Sequence, residues 1–130
     1  MDICLVAVLS STILLHLPAR VTLAWEHTVE KVRWEEDYVV RGTALDLTQA
    51  RIKGTGAGME MPAGSILRDG TWHYRPALHV VDRVVLRNSR YPRGYEVCWQ
   101  GHCKRLVELI GPRDDLLALV PCTAGKAAGR

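Results

Sequence analysis

The chain has 130 residues, room for one ordinary hydrophobic core, and two full domains would be a squeeze at that length. A 48% hydrophobic and 24% charged composition excludes a disordered or collagen-like chain. Seventeen Lys plus Arg against fourteen Asp plus Glu give a net charge of +3, spread along the chain rather than bunched, so nucleic acid is not a favoured partner.

The first apolar run, residues 3–17, is short of the roughly 20 apolar residues that a bilayer crossing takes, and Ser10, Ser11, Thr12 and His16 interrupt it. The only charge before Arg20 is Asp2, and Leu15-His16-Leu17-Pro18-Ala19 offers no small-x-small cleavage site, which argues against a signal peptide. Two buried strands, 3–9 and 12–17, turning at Ser10-Ser11, are expected instead. Residues 21–29 alternate, with Val21, Leu23, Trp25, His27 and Val29 on one face. Residues 34–40 do the same with Trp34, Glu36, Tyr38 and Val40, and 45–53 form a third run. Asp69-Gly70 between 66–68 and 71–74 is the strongest hairpin signal, because this pair accepts the positive φ angles of a type I′ turn. Further strands are expected at 79–87, 95–99, 102–109 and 116–120. Residues 1–122 then make a single β domain, and 123–130 a flexible tail. About nine or ten short strands imply an all-β, antiparallel sandwich or closed barrel, since a flat sheet would leave long edges open.

A site emerges from hairpin geometry. If residues 30–33 form a loop, Val29 faces Trp34, and His27 then lies opposite Glu36, Trp25 opposite Tyr38 and Leu23 opposite Val40. Directly opposed side chains lie about 5 Å apart at Cβ, within imidazole–carboxylate reach. Such a pair is either a core contact that fixes register or an imidazole poised by a carboxylate to hold a ligand, a metal or a proton. No G-x-S-x-G, H-E-x-x-H or Ser–His–Asp arrangement accompanies it, so no catalytic residue and no metal ligand is assigned. In Lys53-Gly54-Thr55-Gly56-Ala57-Gly58-Met59-Glu60, glycines at alternate positions let backbone N–H groups approach an anion. The spacing fits neither the dinucleotide fingerprint nor the P-loop, which leaves an irregular connection or a ligand-facing loop.

Trp25-Glu26-His27-Thr28-Val29-Glu30-Lys31, Trp34-Glu35-Glu36-Asp37-Tyr38 and the glycine stretch through Glu60, followed by Asp69-Gly70-Thr71-Trp72-His73-Tyr74, together resemble a bacterial family of unknown function numbered 1850 among such domains. The resemblance extends to the cysteine hairpin. The family's usual His-Ser-Val is His27-Thr28-Val29 here, which keeps the hydroxyl. The resemblance implies genes beside TRAP-type transporters of the TAXI class, and no catalytic residues to carry over. It favours His27, Glu36 and the glycine loop as a shared site, giving His27, Glu36, Trp25, Tyr38, Gly54, Gly56, Gly58 and Glu60 as ligand-binding candidates.

Cys98-Trp99-Gln100-Gly101-His102-Cys103 reads as a hairpin turning at Gln100-Gly101, with Cys98 directly opposite Cys103. This geometry suits a cross-strand disulfide in an oxidising compartment or two thiolate ligands in a reducing one. With Cys4 and Cys122 included, three pairings are open. The poor match of the N-terminal run to a signal peptide favours the cytoplasm, and a periplasmic placement follows if that run is a signal peptide after all. The expectation is a non-enzymatic accessory protein without cofactor or transmembrane span, whose partner is a TRAP transporter subunit or a small anionic solute. The alternative is a small enzyme or metal-dependent sensor using the His–Glu pair.

Overall fold

The computed structural model describes residues 1–26, 32–53, 61–89 and 94–123. The N-terminal apolar run folds as a hairpin of β1 (Asp2–Ala7) and β2 (Ile13–Leu17), closed by a 2.9 Å bond from the Ala7 N–H to the Thr12 carbonyl. A meander follows through β3 (Arg20–Glu26), β4 (Arg33–Arg41) and β5 (Ala44–Lys53). The Asp-Gly hairpin is β6 (Ile66–Arg68) with β7 (Thr71–Tyr74), and φ values of 52° at Asp69 and 75° at Gly70 are those of the type I′ turn expected there. After β8 (Val80–Val81) and β9 (Val84–Arg87) come the cysteine hairpin of β10 (Glu96–Trp99) and β11 (His102–Arg105), helix α1 (Leu106–Ile110) and β12 (Leu116–Cys122).

These strands make two antiparallel sheets, one in the order β2-β1-β12-β9 and the other β11-β10-β3-β4-β5-β7-β6, with β8 also on β5. The fold is all-β and sandwich-like, and among the described residues neither sheet closes into a barrel. Alternation in each strand puts Ile3, Leu5, Leu117 and Leu119 of the small sheet against Val21, Leu23, Leu45 and Leu47 of the large one, which is the burial that drives the layers together. The apolar run at the N-terminus is thus part of the core, with β1 paired on both sides.

Two expected strands come out differently. Residues 79–87 divide at Asp82-Arg83: Val81 pairs with Leu45 in the large sheet, whereas Val84 pairs with Leu119 in the small one. The chain crosses between layers there, and Val81 and Val84 pack on the same core. Residues 102–109 end as a strand at Arg105, because Leu106, Leu109 and Ile110 recur at helical spacing and pack on that core as one face. The Glu108 side chain accepts the Arg105 N–H at 3.0 Å at the start. Gly111, at φ 79°, stops the turn with its N–H on the Val107 carbonyl. Among the described residues no helix is long and apolar enough to cross a membrane.

Candidate functional site

The inward face of β3 and β4 carries one carboxyl among rings. Tyr38 donates its hydroxyl to Glu36 Oε1 at 2.7 Å, and Tyr38 itself is buried. In the row across the large sheet, Glu36 lies between Leu23 and Ala50, and Tyr74 follows Ala50. The next row holds Trp25, Trp34, Ile52 and Trp72. Trp25 stacks on Trp34 at 6.0 Å between ring centroids and meets Tyr95 at the same distance. Burial pushes the Glu36 carboxyl above the usual carboxylate range, against the opposing pull of the Tyr38 hydrogen bond. Burial and the nearby Glu36 charge in turn raise the phenols of Tyr38 and Tyr74, and both contribute to the raised phenol of Tyr95. Among the described residues no cation pairs with Glu36.

The hairpin register corrects the pairing expected from a loop at 30–33. Leu23 faces Glu36, Val21 faces Tyr38, and Trp25 faces Trp34. Trp25 is therefore not opposite Tyr38, nor Leu23 opposite Val40. The position across from Glu36 belongs to Leu23 rather than to His27, which itself lies outside the described residues. Charge on the other face explains the choice. The expected register would oppose Glu26 to Asp37, two carboxylates, whereas the observed one opposes Glu26 to Arg33 and lets Thr22 donate to Asp37 at 2.6 Å. The slip is an even number of residues, so Trp25, Glu36 and Tyr38 keep the inward face assigned to them. Gly54, Gly56, Gly58 and Glu60 also lie outside the described residues. Glu26, Arg33 and Lys53, the strand ends next to 27–31 and 54–60, stand at the Trp25–Trp34 end of the sheet.

The outward face holds an ion network. Arg51 grips Asp37 with two bonds of 2.7 Å and Glu35 at 2.8 Å. Arg33 bridges Glu35 and Glu96 at 2.6 and 2.8 Å. Burial alone would raise Glu35 and Asp37, but the guanidinium hydrogen bonds and charges outweigh it and hold both below the usual carboxylate range. A cavity of about 330 Å³ beside the cysteine hairpin is lined by Arg20, Thr22, Glu35, Arg51 and the Cys98–Cys103 pair. Arg51 and Glu35 in that wall are already committed to each other, so this cavity is a poorer ligand site than its size suggests.

Of the three cysteine pairings, the structure forms Cys98–Cys103 and Cys4–Cys122. The first is the cross-strand bond expected from the two-residue turn, with positive φ at Gln100 and Gly101. Two acid–imidazole pairs escaped sequence reasoning. His79 donates Nδ1–H to Asp46 Oδ1 at 2.8 Å, with Arg41 on the other Asp46 oxygen, and these bonds hold buried Asp46 below its usual range. His16 donates Nε2–H to Asp2 at 2.9 Å and turns Nδ1 towards Cys4. Asp46 was detectable as a lone charge between Leu45 and Leu47 on a buried strand. His79 lies too far along the chain for any local pattern to pair it.

No curated protein and no solved structure matches the chain. The model of a domain of unknown function, DUF1850, matches residues 21–106, more than half of the chain and the span from β3 through β11, so the chain belongs to that family.

Proposed function

We propose that the chain is a non-enzymatic accessory domain that binds a small organic anion, or a component of a TAXI-class TRAP transporter, on the inward aromatic face of its large sheet. The observation that carries this reading is Glu36, half-buried and held by Tyr38 beside the Trp25–Trp34 stack. A carboxyl that burial pushes up takes a proton more readily than an exposed one, and once protonated it can donate a hydrogen bond to a ligand carboxylate, with the nearby Tyr74 phenol as a further donor. Tryptophan rings supply apolar contact at little entropic cost. The transporter as destination follows from the family resemblance, and the two disulfides support an oxidising compartment rather than the cytoplasm.

Titration of the intact chain with small mono- and dicarboxylates, followed by tryptophan fluorescence, tests the solute reading, and co-purification with transporter subunits from native membranes tests the protein one. Saturable quenching that weakens in Glu36→Gln and Tyr38→Phe supports a solute site, as does tighter binding at lower pH. Turnover of a substrate that disappears in Glu36→Gln would replace this reading by the small enzyme. Absence of both quenching and co-purification would overturn it.

A further inference from the structure

The outward face of the small sheet gathers Asp2, Cys4, His16 and Cys122 from three adjacent strands. Cys4 is directly across from His16 on β2, and Asp2 is directly across from Cys122 on β12. The Sγ atoms of Cys4 and Cys122 and a ring nitrogen of His16 lie within 4.8 Å of one another. His16 Nδ1 is 3.5 Å from Cys4 Sγ, while its Nε2–H is donated to Asp2. That second bond leaves the Nδ1 lone pair of the neutral ring turned to the sulfur.

The geometry points to a metal site that alternates with the Cys4–Cys122 disulfide: in the reduced chain, Cys4, Cys122 and His16 Nδ1 bind one zinc-like divalent cation, with Asp2 orienting the imidazole. Zinc bonds of about 2.3 Å to sulfur and 2.0–2.1 Å to nitrogen at a tetrahedral angle place sulfur and nitrogen about 3.5 Å apart, and Cys4 and His16 already stand at 3.5 Å. Two thiolates on the same ion need to be about 3.8 Å apart by the same bond lengths, a small opening once the disulfide is gone. A carboxylate on the far nitrogen of a ligating histidine fixes its tautomer and strengthens it as a ligand. Three protein ligands leave the fourth position to water or an outside donor.

The chemistry balances. The disulfide takes two electrons from a dithiol, or from a phosphine and water, and with two protons becomes two thiols, while the reductant leaves as a disulfide or phosphine oxide. The cation then displaces both thiol protons. All four residues lie outside the span that matches the family, so the site belongs to this chain's own flanking strands and is independent of the ligand proposed for the inward face.

Cobalt(II) and zinc(II) alone are the probes. The full chain, reduced with a phosphine under argon, should take up one cobalt per chain with thiolate-to-cobalt charge-transfer absorption, and zinc should displace it. The oxidised chain should show no such band. His16→Ala should lower zinc affinity at least tenfold, and Asp2→Asn about 10- to 100-fold, whereas Cys98→Ser with Cys103→Ser should bind as the parent does. A reduced, folded chain without the band would overturn the site. So would a band unchanged in His16→Ala, or one lost with Cys98 and Cys103. If reduction unfolds the chain, zinc should restore its circular dichroism, and failure to do so would equally refute the proposal.

Discussion

Breaking the two disulfides separately should cost very different amounts of stability. Cys4 and Cys122 are 118 residues apart, Cys98 and Cys103 only five. In the chain-entropy account a cross-link stabilises by restricting the unfolded chain, with a logarithmic dependence on loop length. This gives about 5 kcal/mol for the long loop and about 2 kcal/mol for the short one. Strain and residual unfolded structure reduce both, but the order should survive, because the short hairpin is already held by its type I′ turn and by pairing of β10 with β3. Alanine is the right replacement at Cys4, which is fully buried, since serine would bring a new hydroxyl to His16 Nδ1 and add a hydrogen bond that the comparison should not contain. Urea unfolding without reductant, followed by circular dichroism, measures both double variants. Equal losses, or a larger loss for Cys98→Ala with Cys103→Ala, would refute the reasoning.

Arg51→Ala removes the guanidinium from Glu35 and Asp37, whose side chains are 16% and 26% exposed, and should cost about 2–4 kcal/mol at neutral pH. Because both carboxylates are held below their ordinary values, their contribution is present above about pH 4 and lost as pH falls through the folded values, so urea midpoints of variant and parent should converge in acid. Glu36 has the opposite sign. Its raised carboxyl contributes stability below about pH 4.3 that is lost as pH rises through the folded value. Thermal melts of Glu36→Gln should therefore gain on the parent as pH rises above about 4, and a constant gap would show that burial does not govern this group. Leu106→Ala empties a fully buried position of α1 and should lower stability by about 2–5 kcal/mol in urea. A near-neutral result would mean that the helix does not seal the core.

The alternation of Val21, Leu23 and Trp25 against Thr22 and Ala24 was enough to assign faces, and Asp69-Gly70 and Gln100-Gly101 were enough to assign two hairpins, because those signals act over a few residues. Register in the β3–β4 hairpin was not legible from the apolar face alone. Slips by two or four residues leave Glu36 and Tyr38 pointing inward, and what separates the registers, Glu26 opposite Arg33 rather than Asp37 and the Thr22–Asp37 hydrogen bond, lies on the other face. Residues 102–109 look like one strand because the Gln100-Gly101 turn makes His102 to Arg105 pair with β10, and the helical spacing begins only at Leu106. The pairing of Cys4 with Cys122, and of Asp46 with His79, depends on which strands become neighbours, which no local pattern contains.

Pairing of Asp2 with Cys122 puts the two ends of the described fold side by side, and the Cys4–Cys122 bond joins them covalently. Tension entering the chain before Cys4 and leaving after Cys122 would then run through that one covalent link. The strands between them would carry no load while it holds. Pulled from both ends in a force spectrometer, the oxidised chain should lengthen hardly at all up to forces that break bonds. The same chain with the bond reduced should unzip from β1 and β12 first, and release the length of the whole enclosed segment.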